Sequence, residues 1–307
     1  MLHMVAKLHY ESEMSQIDIA RKLSVSTATV SRMLQKARSV GIVRIEVLDL
    51  VSPEEITADL IAALGLKTAA VIDTPQTGVL GALAQPLGSM LKAAGLGDGA
   101  VIGIGWGRAV REVVLAGLPA LGRASIVPLT GGMQQAAAHF QINEFVRLAA
   151  EQIGGAPHFL HVPYLSSPEL REAVLADPSV SETVALWNRL DCAIVGIGLT
   201  HAPQPSETSA ATAGEKALVE AAGDVIRHYV SEDGRLLDWE GEARMIAASA
   251  AQLRTAPLSI GVAAGAEKAE AMIGAVRAGM VNALVTDTVS AQAILGRLAA
   301  SRAGDHT

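Results

Sequence analysis

Aromatic side chains are scarce in this chain: three Phe, three Trp and three Tyr make 3% of 307 residues, so any core must be built from Ala, Val, Leu and Ile. There is one cysteine, Cys192, which excludes an internal disulfide framework and a cysteine-based zinc site. Its flanks, Ala193-Ile194-Val195, read as a buried strand around an inert thiol. No apolar run is long enough, or free enough of glycine, to span a bilayer. The opening Met1-Leu2-His3-Met4 lacks the basic region and apolar core of a secretory signal. These absences predict a soluble, cytoplasmic chain with no membrane partner. His139, His158, His161, His201 and His228 are scattered without ligand-like or triad-like spacing, so no metal site, cofactor or catalytic group is expected. Charged residues reach 18% against 50% hydrophobic, which excludes disorder and allows a large core.

What is present divides unevenly, and the length suggests two domains. The net charge is −7. Residues 1–48, however, carry seven basic side chains (Lys7, Arg21, Lys22, Arg32, Lys36, Arg38, Arg44) and four acidic ones (Glu11, Glu13, Asp18, Glu46), a net of +3 that leaves −10 for the remainder. A basic head can meet phosphate while an acidic body is repelled by it. The head, residues 1–50, reads as three helices. The first covers 4–10. Ser15 caps the second, over 16–23, with Ile17, Ala20 and Leu23 on one face. After the tight connection Ser24-Val25-Ser26, Ser26 or Thr27 caps the third, over 27–40, with an apolar stripe of Val30, Met33, Leu34 and Ala37. Gly41 stops it, residues 42–48 alternate like a strand, and Pro53 marks a linker near 49–55.

The second domain, residues 54–307, has a different rhythm. Apolar strand-like runs at 69–72, 100–104, 125–129, 158–162, 192–197, 259–262 and 283–286 alternate with helical patterns, and several run into glycine-rich turns. This predicts an α/β fold, Rossmann-like, with a mostly parallel sheet covered on both faces. Residues 203–214, rich in Pro, Ser, Thr and Ala, read as a loop.

Residues 15–34 carry a helix-turn-helix pattern. Small Ala20 permits a close crossing, and Ile17, Leu23, Val25, Val30 and Leu34 are the expected core. Ser15, Gln16, Ser26, Thr27, Thr29, Ser31, Arg32 and Lys36 are the candidate DNA contacts, because short hydroxyls and basic side chains reach base edges and phosphates in the major groove. A bundle used only for packing would not need the hydroxyl-rich helix or the local positive charge. The strand over 42–47 would form a wing, making the domain a winged helix-turn-helix. Arg44 there either touches the DNA backbone or pairs with neighbouring carboxylates.

Several segments, taken in order, resemble the SorC family of sugar-binding transcriptional regulators, sometimes grouped with the DeoR type. They are Ser15-Gln16…Ile19-Ala20…Thr29-Val30-Ser31-Arg32 with Gly41-Ile42-Val43; Gly103-Ile104-Gly105-Trp106-Gly107-Arg108; Pro128-Leu129-Thr130-Gly131-Gly132; Val195-Gly196-Ile197-Gly198; Gly223-Asp224-Val225 with Asp233-Gly234; and Val262-Ala263-Ala264-Gly265-Ala266-Glu267-Lys268, leading to Leu284-Val285-Thr286-Asp287. The resemblance spans nearly the whole chain. It implies a sensor domain with the fold of sugar-phosphate isomerases and a ligand at the C-terminal strand ends. Independently, glycine-rich strand-to-helix turns let backbone N–H groups approach an anion.

The candidate effector residues are Gly105, Trp106, Gly107, Arg108, Thr130, Gly131, Gly132, Gly198, Asp224, Gly265, Lys268 and Asp287. Lys268 can salt-bridge a phosphate, form an imine with an open-chain sugar, or simply be solvated near a helix start. Asp224 and Asp287 can accept sugar hydroxyls or act as caps. Ala109 stands where the family usually has a hydroxyl residue, and Thr288 where an acidic one is frequent. The expected function is DNA-binding regulation of carbohydrate or polyol catabolism, controlled by a small phosphorylated sugar or polyol effector, in a homodimer or homotetramer. The alternatives are a sugar-phosphate isomerase or deaminase, which would need a positioned carboxylate base and a proton shuttle, and a DNA-binding protein whose body only oligomerises.

Overall fold

The computed structural model describes residues 1–10, 12, 14–43, 52–73, 75, 77–133, 137–199 and 212–304. The chain divides into two compact units, Met1–Val51 and Ser52–Thr307.

The first unit holds helices α1 (Leu2–Tyr10), α2 (Gln16–Leu23) and α3 (Thr27–Ser39). Ser15 and Ser26 cap α2 and α3, their side chains accepting from the amides of Asp18 and Thr29. Val5, Ile19, Ala20, Val30 and Leu34 form the buried centre, with Leu23 and Val25 partly buried against it. Ile17 is not in this core. It is 60% exposed, and Ile19 takes its place, because α1 contributes Val5 and turns α2 to present its other apolar face. The expected wing strand and Arg44 lie, from residue 44 on, outside the described residues.

Pro53 does not mark a linker. It opens helix α4 (Pro53–Leu64), where Ser52 and Glu55 form a reciprocal capping box. The second unit is built on seven parallel strands: β1 (Thr68–Ile72), β2 (Val101–Ile104), β3 (Ser125–Pro128), β4 (Ala156–Pro157), β5 (Cys192–Gly196), β9 (Leu258–Val262) and β10 (Ala283–Asp287). In the chain between β5 and β9, a small antiparallel sheet joins β6 (Gly223–Val225), β7 (His228–Val230) and β8 (Leu236–Leu237). The large sheet runs β1-β10-β9-β5-β2-β3-β4. Alternate residues of β5 face two different cores. Ala193 and Val195 join one with α4 and the helix Ala269–Arg277; Cys192 and Ile194 join the other with the helices Arg108–Ala116 and Ile142–Ile153. The sheet is thus covered on both faces, which accounts for its continuous apolar strands.

The run at 158–162 is not a strand. After the two residues of β4, Asn143 takes over both backbone groups of Leu160, accepting from its amide at 3.0 Å and donating to its carbonyl at 3.2 Å. Pro157 and Pro163 bracket the segment and remove ladder donors. Among the described residues no helix is long and apolar enough to cross a membrane.

Candidate functional site

From the centre of the sheet, β2 leads outward to β3 and β4, while β5 leads the other way to β9, β10 and β1. The strand order therefore reverses between β2 and β5. In open α/β sheets, ligands bind in the crevice at such a point, beyond the C-terminal strand ends. Residues 105–108 follow β2 and residues 197–198 follow β5, so the expected site straddles it. A cavity of about 700 Å³ opens at the opposite end, lined among others by Thr68, Asp98, Asp191 and Leu258. Its ionisable lining is acidic, which suits no anion.

Lys268 ends the 3₁₀ turn Ala266–Lys268 after β9 and reaches across to β5, where its Nζ donates to the carbonyl of Ile197 at 2.8 Å. Burial lowers its affinity for the proton and the charge of Arg108 lowers it further, while Asp224 and Glu267 oppose the shift. Arg108 begins the helix Arg108–Ala116 and is exposed, with no carboxylate partner among the described residues. Asp224 pairs backbone to backbone with Gly198, and a Cβ on Gly198 would run into the Asp224 carboxylate. Asp224 Oδ2 also accepts from the amide of Arg227 at 2.9 Å. Asp224 is therefore a turn cap and a wall of the crevice at once.

The glycines act differently from expectation. Their amides are already bonded: Gly105 to Ile194 O, Gly107 to His139 O, Gly131 to Ile246 O, Gly132 to Val162 O, Gly198 to Asp224 O and Gly265 to Ser290 Oγ, all between 2.7 and 3.1 Å. Neighbouring strands and loops reach these N–H groups first, so the expectation that glycine amides cradle an anion is corrected at Gly105, Gly107, Gly131, Gly132 and Gly265. The groups left without an intrahelical acceptor are the first amides of the helix that Arg108 opens. Gly107 (φ 117°) and Gly265 (φ 112°) instead supply backbone that side chains rarely allow. Gly131 supplies space, since a Cβ there would lie 2.7 Å from the carbonyls of Val162 and Pro163.

Thr130 is fully buried and donates to Gly131 O at 3.2 Å. Asp287 is buried and holds Ser290 through its Oδ1, and Ser290 in turn holds the Gly265 amide. These two residues support the turns from behind. Trp106, 6% exposed, stands edge-on to Phe140 and Tyr164 at 5.8 and 5.1 Å.

Sequence reasoning missed Arg227. It sits with Ile226 at the two-residue tip of the β6–β7 hairpin, at φ 71° and 43°. Both central positions of such a turn need positive φ, and glycine or asparagine usually fills them. The Arg227 guanidinium lies 5.8 Å from the Trp106 ring centre. Its Nη1 is 3.3 Å from buried Glu215 and donates to Tyr229 Oη at 3.1 Å. Tyr229 Oη donates to the same Glu215 oxygen at 2.9 Å. Burial opposes the charge on Arg227, but Asp224, Tyr229 and Glu215 outweigh it and hold its proton more firmly than usual. Ile226 is buried, with its Cγ2 3.1 Å from where a Cβ on Gly105 would stand. No glycine, asparagine or proline at 225–228 signals this turn in the sequence.

In the head, Ser15, Ser26, Thr27, Ser31, Arg32 and Lys36 are exposed, and Gln16 and Thr29 half-buried. Ser26 Oγ and Thr29 Oγ1 are hydrogen-bonded at 2.8 Å.

Residues 49–296 match the family model described as "Putative sugar-binding domain". The sorbitol operon regulator of Klebsiella pneumoniae is 30% identical over 304 residues, covering 95% of this chain and 96% of the relative. The chain belongs to the SorC family of sugar-binding transcriptional regulators. The deoxyribonucleoside regulator of Bacillus subtilis is 26% identical, covering 95% of this chain and 96% of that one. The crystal structure of the full-length SorC regulator from Klebsiella pneumoniae superposes with a TM-score of 0.72 at 29% identity, over 96% of this chain and 98% of that one. As a SorC-family member the chain is a DNA-binding transcriptional regulator of sugar and polyol catabolism rather than an enzyme, and its partners are operator DNA and a sugar effector.

Proposed function

We propose that the SorC-type head reads an operator through α3 and that the crevice between β2 and β5 takes a small phosphorylated sugar or polyol. In the head, the exposure of Ser26, Thr27, Ser31, Arg32 and Lys36 supports contacts to base edges and phosphates, with Ser15, Gln16 and Thr29 at the adjoining helix starts. Residues 1–50 form the DNA-binding domain, and residues 54–307 bind effector and assemble the homodimer or homotetramer. One recognition helix reads only a few base pairs, so a two-fold assembly is needed to define a site.

The observation that carries the effector reading is the meeting of Lys268 and Arg108. They come from turns on opposite sides of the strand reversal, and the charge of Arg108 raises the cost of charging Lys268. An anion between them removes that cost, and a phosphate offers oxygens to both. Asp224 and Gly198 then face the hydroxyls, while Trp106 and the turns at Gly105, Gly107 and Gly265 shape the walls. Thr130, Gly131, Gly132 and Asp287 hold those walls in register. The relatives, a sorbitol operon regulator and a deoxyribonucleoside regulator, point to polyols and deoxyribonucleoside-derived sugars.

Operator titration tests this, with polyol and sugar phosphates and their unphosphorylated parents. A phosphorylated compound should change the operator affinity of the wild type where its parent does not. Lys268→Ala should bind operator normally but need at least about 10-fold more effector. Arg32→Ala should lose about 1–3 kcal/mol of operator affinity. A parent polyol as effective as its phosphate overturns the phosphate reading, and an unchanged effector response in Lys268→Ala removes Lys268 from the site.

A further inference from the structure

Arg227 carries more binding capacity than its place in the fold uses. Glu215 and Tyr229 both engage its Nη1. The opposite edge of the guanidinium, Nε and Nη2, has no partner among the described residues, although the side chain is only 11% exposed. That edge is not sealed inside the protein, since no Arg227 nitrogen is among the fully enclosed polar atoms that lack a partner. The buried end of the arginine is therefore fixed and the other end is offered.

The direction of that offer follows from its neighbours. The Arg227 amide is held by Asp224, whose backbone pairs with Gly198, next to the Ile197 carbonyl that Lys268 bonds. On its other side the guanidinium lies over Trp106, two residues before Arg108. Arg227 thus closes a ring with Lys268 and Arg108 around one crevice. A small turn residue would satisfy the hairpin without strain. An Arg at φ 71° beside an Ile at φ 43° is instead locked there by Glu215 below and by Gly105 against Ile226.

We propose that Arg227 determines effector specificity, and that the effector carries a second oxyanion, a carboxylate or a second phosphate, besides the phosphate held by Arg108 and Lys268. The inference rests on the phosphorylated-effector reading. An Nε–Nη2 edge presents two parallel N–H groups whose spacing matches two oxygens of one carboxylate or phosphate, a fit that a lone hydroxyl does not make. Glu215 and Tyr229 keep the fork from rotating, so its orientation is set before the ligand arrives.

Isothermal titration of the full chain tests this with three probes: sorbitol 6-phosphate, a hexose 1,6-bisphosphate and 6-phosphogluconate. At least one doubly anionic probe should bind the wild type about 10-fold or more tighter than the monophosphate, and which one identifies the second oxyanion. Arg227→Lys keeps the charge against Glu215 but has no fork. It should lose that preference while monophosphate binding stays within about twofold. The double variant Arg227→Gln with Glu215→Gln leaves no unpaired buried charge and should behave alike, which separates recognition from misfolding. Equal or weaker binding of both doubly anionic probes by the wild type overturns the proposal, as does a preference that survives in both variants. If none of the three probes binds, the phosphorylated-effector reading falls first and takes this one with it. If the monophosphate binds and the variants match the wild type, this proposal alone fails.

Discussion

The turns after β2 and β9 and the hairpin between β6 and β7 face the same crevice and meet the same backbone demand by different means. Gly107 and Gly265 supply positive φ with no side chain. The hairpin reaches φ 43° and 71° with Ile226 and Arg227. A glycine turn is cheap to hold and contributes only what lies beside it, here Arg108 and Lys268. The hairpin contributes its own guanidinium, at a strain of about 1–3 kcal/mol for each residue so placed. That strain persists because both side chains are anchored, Ile226 against Gly105 and Arg227 against Glu215. A strained turn can therefore do what a glycine turn cannot, provided the packing beneath it is specific.

Removing the anchor should break this contrast most severely. The side chain of Glu215 is fully buried and faces the Arg227 guanidinium, which is itself 11% exposed. Glu215→Ala leaves that cation buried and partly unpaired, so a loss of about 3–5 kcal/mol is expected in urea unfolding. The conservative Glu215→Gln, which retains an acceptor for Tyr229, should lose less. A loss under about 1 kcal/mol for Glu215→Ala would mean that the pair does not hold the hairpin.

Glycine itself is required for two reasons that substitution can separate. At Gly131 a Cβ would stand 2.7 Å from two backbone carbonyls, which cannot swing aside. At Gly107 a Cβ meets nothing within 4 Å, and only the φ of 117° resists it. Gly131→Ala should therefore cost about 2–4 kcal/mol and Gly107→Ala about 1–2 kcal/mol. The reverse order, measured by denaturant midpoints at constant m, would show that the loop carrying Val162 and Pro163 gives way readily.

The same contrast explains what was legible in the sequence. Strands buried on both faces, such as Cys192–Gly196 and Leu258–Val262, are written as unbroken apolar runs, and their boundaries were read to within a residue or two. The helix cap Ser15 was equally plain, since a hydroxyl before an apolar stripe has few other uses, and for the next helix the choice between Ser26 and Thr27 fell to Ser26. Glycine announced the turns at 105–107 and 265. It did not reveal that their amides are spent on the protein, because the carbonyls that take them lie far away in sequence. The run at 158–162 misled because Asn143, fifteen or more residues earlier, takes the bonds a neighbouring strand would make. Ile17 misled because α1 decides which face of α2 turns inward. Arg227 was invisible for a related reason: nothing in Val225-Ile226-Arg227-His228 announces a turn, and the pairing that forces one comes from buried Glu215 and from Gly105.

The smallest expected difference is the most direct measure of the strain. Ile226 is 2% exposed, and truncating a buried isoleucine at relaxed backbone costs about 2–5 kcal/mol through lost burial and the cavity left behind. Ile194, fully buried in β5, is such a site, and Ile194→Ala should fall in that range. At position 226 the same loss is partly offset, because glycine adopts φ 43° without penalty and releases about 1–3 kcal/mol of strain. Glycine also gains more freedom in the unfolded chain, which works against the folded state by roughly 0.5–1 kcal/mol. The balance predicts that Ile226→Gly destabilises by roughly 1–4 kcal/mol, about 1 kcal/mol less than Ile194→Ala. Urea unfolding of both variants against the wild type measures the difference. Equal losses would mean that the hairpin stores no strain at Ile226, and the turn would then hold Arg227 in place without the tension inferred from its backbone.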